Sequence, residues 1–292
     1  MNSVTLSAYA KINLALDVIG KRADGYHELR MIMQSVSVHD TITLERMPCK
    51  GVIFECGNKS IPADDGNLAV RAVKLMLMEN GIDGGVKITL EKRIPSMAGM
   101  AGGSADGAAA LIGADMLFDM KTPQEKLLKL GRSLGADVPF CVLGGTKICE
   151  GIGEKMTAIP HIPEYCLVIL KPQISVSTPA AFAKYDRMPS PERGDIDGMA
   201  KCLEKNDIDG VCKTLFNALE YASGYDEITE AKNKLLSLGA DGALMTGSGS
   251  AVFGIFKDKQ RAEKCCGVLK GCYPFCEVCY PVEKGCEAVS YE

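Results

Sequence analysis

Three things are missing from this sequence, and each absence removes a class of function. No apolar run approaches the roughly 18 residues of a membrane-spanning helix, so no span is expected. Positive charge is not in surplus: 33 Lys and Arg against 37 Asp and Glu give a formal net charge of −4. That balance supplies neither the basic footprint of a nucleic-acid binder nor a polybasic membrane patch. A signal-peptide core is also missing, because Lys11, Asn13 and Asp17 interrupt the apolar residues near the N-terminus. The expectation is a cytoplasmic protein that binds no nucleic acid and no membrane.

What is present describes a globular chain. Hydrophobic residues make up 47% and charged residues 24% of 292, enough for two domains of ordinary size. The 13 cysteines stand out, but without a secretion signal reduced thiols are the default. Cys272, Cys276 and Cys279 have a spacing that suggests metal ligands. However, Phe275 to Val282 reads as a strand, which puts Cys276 and Cys279 on opposite faces. Buried structural thiols are expected, and no metal site.

The chain is organised around Arg93-Ile-Pro-Ser-Met-Ala-Gly-Met-Ala-Gly-Gly-Ser-Ala-Asp-Gly-Ala-Ala-Ala110. Val86, Ile88 and Leu90 alternate with polar residues, so a strand leads in. Pro95 stops its ladder, a loop of small residues follows, and Ala108 to Phe118 reads as a helix. A strand, a small-residue loop and a helix start form an anion site, since the first helical amides and the dipole favour negative charge. Gly99, Gly102 and Gly103 would allow positive φ and close approach of a phosphate. This is neither a P-loop, because Ser-Ala-Asp follows Gly103, nor a Gly-x-Gly-x-x-Gly fingerprint. A plain packing turn is the competing reading.

Val4 to Val18 alternates: Leu6, Ala8, Ala10, Ile12, Leu14, Leu16 and Val18 form the core face. Lys11 and Asn13 sit together on the other face, roughly 7 Å apart by strand rise; a solvated strand face is the alternative. Further strands are read through Val38, at Thr41–Leu44 and at Val52–Cys56. Asn67–Glu79 has helical spacing, and Thr122-Pro-Gln-Glu125 looks like a capped helix start. Asp137, in Gly135-Ala-Asp-Val-Pro-Phe140, is either a functional carboxylate or a cap for the turn that Pro139 begins. The boundary is placed within Gly153–Pro163. Beyond it come a buried strand at Cys166–Leu170 and a helix start with Thr178 at the cap and Pro179 first. After a Pro-rich loop at Arg187–Gly194 come helical patterns near Gly198–Glu204, Val211–Tyr221 and Glu227–Leu238. Ala243–Met245, the turn Thr246-Gly-Ser-Gly-Ser250, the strand Ala251–Phe256, a helix at Arg261–Leu269 and a closing strand complete an α+β unit.

Ala10-Lys-Ile-Asn-Leu14, the Pro95–Ala110 loop and Met245-Thr-Gly-Ser-Gly-Ser-Ala-Val-Phe253, in this order, resemble the GHMP kinase superfamily. Arg22-Ala-Asp-Gly-Tyr-His27 and Gly135-Ala-Asp-Val-Pro-Phe140 resemble its branch acting on a cytidine diphosphate-linked methylerythritol. The resemblance spans essentially the whole chain. It implies an α+β, two-domain GHMP kinase fold: a ribosomal protein S5 domain 2-like N-terminal domain (residues 1–158) and a C-terminal ferredoxin-like α/β sandwich (residues 159–292). It implies transfer of the γ-phosphate of ATP to the 2-hydroxyl of the erythritol moiety, a step of non-mevalonate isoprenoid synthesis, with Mg²⁺ accompanying ATP and no ligands legible for it. A homodimer stays open.

The same resemblance assigns roles. Lys11 and Asp137 would be catalytic, the latter as base. Pro95, Ser96, Met97, Ala98, Gly99, Met100, Ala101, Gly102, Gly103, Ser104 and Ala105 would hold the nucleotide. Asn13, Tyr26, His27, Thr178, Phe182, Gly247, Ser248 and Gly249 would hold the substrate, with Tyr26, His27 and Phe182 around the cytosine. The sequence departs from the family at Ser96-Met97-Ala98 and Ala101, where more glycine is usual. Ala or Ser there implies negative φ. Gly107 replaces a usual Ala at a cost of about 1 kcal/mol. A mevalonate, homoserine or sugar kinase, or an inactive nucleotide-binding relative, remains the alternative.

Overall fold

The structure is a computed structural model and describes residues 1–160, 164–188 and 192–291. In chain order the first elements are β1 (Ser3–Lys21), β2 (His27–Met47), β3 (Gly51–Cys56), α1 (Leu68–Glu79), β4 (Gly85–Glu91), α2 (Gly102–Leu117), α3 (Gln124–Leu134), α4 (Val138–Leu143), β5 (Thr146–Gly151) and β6 (Lys155–Ala158). Then follow β7 (Cys166–Lys171), α5 (Thr178–Tyr185), α6 (Ile196–Glu204), α7 (Ile208–Lys213), β8 (Phe216–Asn217), α8 (Ala218–Ser223), α9 (Asp226–Ser237), β9 (Gly242–Met245), β10 (Val252–Phe256), α10 (Lys259–Leu269), β11 (Phe275–Cys279) and β12 (Cys286–Tyr291). No helix among the described residues is long and apolar enough to cross a membrane.

The larger sheet runs β12-β1-β2-β4-β3, with β5 and β6 continuing from β2 and β8 beside β1. The smaller sheet is β11-β7-β10-β9, antiparallel throughout. Helix α2 lies on β1 and β2 with α1, α3 and α4 around it. Its alanines keep it thin, and at Gly113 a Cβ would sit 2.9 Å from both Leu6 and Leu44. A helix can lie this close to a sheet only on such a residue. Gly107 has a similar reason, since a Cβ there would stand 3.1 Å from Leu68 at the start of α1.

Several elements differ from the sequence reading. The core face of β1 is as expected, but Lys11, Asn13, Ala15 and Asp17 on the other face are buried too. The second layer explains this: β8 pairs with Ala15 and Leu16, and Thr246 takes the Asn13 N–H. The two strands expected at Thr41–Leu44 and before it are one, β2, which pairs with β1 through three register shifts. The helix expected over Val211–Tyr221 breaks at Thr214. Asn217 forces the break, because its buried amide donates to the Met245 and Gly247 carbonyls and accepts from the Leu219 N–H. Thr122 caps nothing; Pro123 holds the cap position of α3 and the Thr122 hydroxyl has no partner. Ser177, one residue before the expected Thr178, holds the cap position of α5, with no capping bond from its side chain.

The segment chosen as a boundary contains β6, and Pro163 within it lies outside the described residues, as do Pro189 and Pro191 of the Pro-rich loop. Strand β12 returns to β1, so a cut at 158/159 divides the sequence without dividing the two sheets cleanly. Cysteines are less uniformly buried than expected: Cys49 and Cys272 are exposed and several are half-buried. Cys276 approaches Cys266 at 3.7 Å while Cys279 is buried apart. Burial pushes the Cys265 thiol up to about 11 and those of Cys149 and Cys212 to about 12, which keeps them protonated and unreactive.

Candidate active site

A cavity of about 1000 Å³ opens between the two sheets and their helices, with β1 as its floor. Lys11 stands on that floor and is only 5% exposed. Its Nζ donates to Asn13 Oδ1 at 2.7 Å and to the Gly99 carbonyl at 3.0 Å. Asn13 is itself pinned, because its backbone N–H donates to Thr246 Oγ1 at 2.9 Å. These bonds aim a positive charge without cancelling it, since Lys11 meets no carboxylate within ion-pair distance among the described residues.

Asp137 precedes α4 and lines the same cavity. Its backbone is near helical (φ −85°, ψ −12°) and its side chain caps nothing. The cap reading therefore finds no hydrogen bond to support it. The half-buried carboxylate makes no side-chain contact with a cation among the described residues. The cavity lining thus includes an ammonium and a carboxylate, neither of them in an ion pair among the described residues.

The glycine loop starts its helix earlier than expected. Gly102 and Gly103 belong to the first turn of α2 and have negative φ; the left-handed residues are Met97 (φ 53°), Gly99 (φ 73°) and Ala101 (φ 57°). Negative φ at the non-glycine loop positions was the wrong expectation for two of them. Such a conformation costs roughly 1–2 kcal/mol per residue, and the surroundings hold it. The Ala98 carbonyl accepts from Ala251 N–H at 3.2 Å, and that of Met100 accepts from Lys11 N–H at 3.2 Å. The Met100 side chain is buried in the core. Gly99 is obligatory, since a Cβ would stand 2.1 Å from the Thr246 carbonyl.

With Ala101 at the cap, no side chain covers the start of α2. The N–H groups of Gly102, Gly103 and Ser104 have no protein acceptor among the described residues, and the first intrahelical bond runs from Ala105 N–H to the Ala101 carbonyl. Three open amides at the positive end of a helix are an anion site. Ala105 is the exception among the expected nucleotide contacts: its amide is used by the helix, its side chain is buried, and it does not line the cavity.

Sequence reading missed a buried charge cluster beneath this loop. Lys92 Nζ donates to Asp106 Oδ2 at 2.8 Å and to Asp40 Oδ2. Asp40 Oδ1 accepts from the N–H groups of Arg93 and Ile94 at 2.6 and 2.8 Å. Burial opposes the Lys92 charge, but Asp106 and Asp40 outweigh it and raise its pKa. Burial raises Asp106 to about 7, against the pull of Lys92 and with a push from Asp40. The cluster ties β2, the end of β4 and α2 together. A lone Asp inside an alanine helix and another inside β2 were the available signals.

At the other end the cavity is made of side chains. Tyr26 is 61% exposed, whereas His27 is 9% exposed. His27 and Phe182 stack on each other, with centroids 4.6 Å apart and planes 17° from parallel. A base cannot lie between those two rings; only Tyr26 and the remaining faces are open to it. Thr178 Oγ1 and Ser248 Oγ are 2.8 Å apart. Gly247 (φ 57°) and Gly249 (φ 92°) turn the chain here, and both line the cavity with Ser248.

Residues 67–145 match the GHMP kinases N terminal domain and residues 193–274 the GHMP kinases C terminal family. A 4-diphosphocytidyl-2-C-methyl-D-erythritol kinase of Acetivibrio thermocellus is 44% identical over 264 residues, which cover 90% of this chain and 93% of that protein. The crystal structure of a 4-(cytidine 5'-diphospho)-2C-methyl-D-erythritol kinase superposes with a TM-score of 0.81 at 32% identity, covering 94% of this chain and 99% of that one. A homoserine kinase from Cytophaga hutchinsonii reaches a TM-score of 0.80 at 20% identity, covering 99% and 98%; that likeness shows the fold alone. The chain belongs to the GHMP kinases, and within them to the 4-diphosphocytidyl-2-C-methyl-D-erythritol kinase family.

Proposed function

We infer that this chain uses ATP to phosphorylate the 2-hydroxyl of 4-diphosphocytidyl-2-C-methyl-D-erythritol, in the non-mevalonate route to isoprenoid precursors. The observation that carries the chemistry is Lys11 and Asp137 lining one cavity, each without a charged partner among the described residues, with the open amides of Gly102, Gly103 and Ser104 lining it too. Phosphoryl transfer asks for positioning and charge stabilisation above all. In this reading the amides and the helix dipole hold the triphosphate. Asp137 accepts the hydroxyl proton as the oxygen bonds to the γ-phosphorus and ADP departs. Lys11, held by Asn13 and the Gly99 carbonyl, stabilises charge on the alkoxide and the transferring group.

Mg²⁺ is part of the proposal. No three His, Cys, Asp or Glu side chains among the described residues form a metal cage. The ion would come in on the triphosphate, which would provide oxygen ligands and leave few to the protein. When bound it neutralises phosphate charge. Tyr26 and the free face of Phe182 are the proposed stacking surfaces for cytosine, His27 its polar contact, and Thr178 with the Gly247–Gly249 turn the contacts near the diphosphate. The division at 158/159 is kept as a proposal in which β12 crosses back.

The test follows ³¹P resonances of products from ATP and a panel of alcohols: the cytidyl substrate, mevalonate, homoserine and galactose. A phosphomonoester should form on the cytidyl substrate alone. Preferred turnover of another alcohol would overturn the substrate, and no turnover of any would overturn the kinase reading.

A further inference from the structure

His27 is held by a group that no motif pointed to. Its Nε2 lies 2.7 Å from Asp186 Oδ1, and Asp186 Oδ2 lies 2.5 Å from Lys21 Nζ. The bonds from Lys21 and His27 keep the Asp186 carboxyl below its usual range, so it is an ionised acceptor. An acceptor fixes the proton of a neutral imidazole on the nitrogen that faces it. The other nitrogen, Nδ1, has no partner among the described residues and is not among the buried unpaired atoms. The ring lines the cavity, and its Phe182 stack stops it from turning over.

We propose that Asp186 is a positioning residue that sets the tautomer of His27, presenting a bare Nδ1 lone pair to the cavity and thereby selecting a base with an exocyclic amino group. Cytosine offers an N–H donor at its 4-position, where uracil offers a carbonyl oxygen. Two lone pairs facing each other lose the bond and leave both atoms unpaired, so a uridine-linked analogue is disfavoured by about 10–100-fold. Lys21 has a second part in this. In an Asp186→Asn variant its ammonium would take the amide oxygen and turn the NH₂ toward Nε2. The proton of His27 would then move to Nδ1, and the donor pattern seen by the base would invert.

The selection rests on the cytidyl reading above; the tautomer does not. The chain has three histidines, so ¹⁵N spectra of histidine-labelled protein assigned with a His27→Gln variant can read each ring. His27 of the free wild type should show one-bond N–H coupling at Nε2 and a bare Nδ1, and a wild-type Nδ1–H tautomer would overturn the proposal whatever the substrate is. Asp186→Asn should move the proton to Nδ1, while Asp186→Glu, still an acceptor, should leave it on Nε2. In turnover, the cytidine-to-uridine ratio of kcat/KM should fall from about 10–100 toward unity in Asp186→Asn, through KM. An unchanged ratio in the folded variant would overturn the selection. Failure of the wild type to use the cytidyl substrate would sink the functional reading and leave the spectra to judge Asp186.

Discussion

The two ends of the cavity are built from different materials. Around the start of α2 the wall is backbone: open amides of Gly102, Gly103 and Ser104, with left-handed turns at Met97, Gly99 and Ala101. Around the start of β2 and α5 it is side chains: Tyr26, His27, Phe182 and Asp186. A backbone wall can hold any nucleotide triphosphate, because amides see only oxygen. A side-chain wall can distinguish bases. Under the proposed function, substrate choice would reside at the side-chain end, while the backbone end is held by packing.

The largest effect is expected at Asp137. Asp137→Asn keeps the shape but cannot take a proton, so kcat should fall about 10²–10⁴-fold with both substrate KM values little changed. Near-normal kcat in steady-state assays of the folded variant would remove Asp137 as base. Next, Gly103→Val should separate binding from folding. A Cβ there meets nothing within 4 Å, so the fold should tolerate it, yet the side chain would stand where a phosphate approaches. ATP affinity by calorimetry should fall about 5–150-fold, the span of a 1–3 kcal/mol steric cost. Unchanged affinity would make this end a packing turn.

Tyr26→Ala probes the opposite wall. A stacked base contributes about 1–3 kcal/mol, so the KM for the cytidyl substrate should rise while that for ATP holds. Equal losses for both would place Tyr26 in the fold rather than in recognition. The smallest effect concerns pH. Asp106 is raised by burial to about 7 from an ordinary 3.8, so the folded state binds its proton more tightly than the unfolded one. Its contribution to stability is complete below the ordinary value and is lost as pH rises through about 7. Between pH 6 and 7 the wild type should lose about 1 kcal/mol relative to Asp106→Asn, read by urea unfolding. Parallel pH profiles would show that Asp106 does not titrate there.

Legibility in the sequence followed the same divide. Period-two alternation read the core face of β1, and the small-residue loop after a strand read an uncapped helix start, because both depend on local chain geometry. The left-handed Met97 and Ala101 were not legible, since tertiary bonds to Ala251 and Lys11 hold them against local preference. Lys92, Asp40 and Asp106 were missed because they are 52, 66 and 14 residues apart by pairs and meet only in the fold. Asp186 was invisible for the same reason, being 159 residues from His27. Val211–Tyr221 failed because Asn217 spends its amide on two distant carbonyls, which no helical periodicity records.

Strand β12 pairs with β1 at Val4 to Ala8, so the last residues of the chain lie against the first. The smaller sheet is therefore carried as an insertion with two tethers, one before β7 and one after β11, and β8 adds a third attachment at Ala15 and Leu16. A lobe joined by one linker can swing freely; one fastened at several points is restrained, here also by the Ala251 N–H to the Ala98 carbonyl and the Asn13 N–H to Thr246. Because the ends adjoin, a short bridge between them with new termini cut into an exposed turn would leave every strand pairing in place.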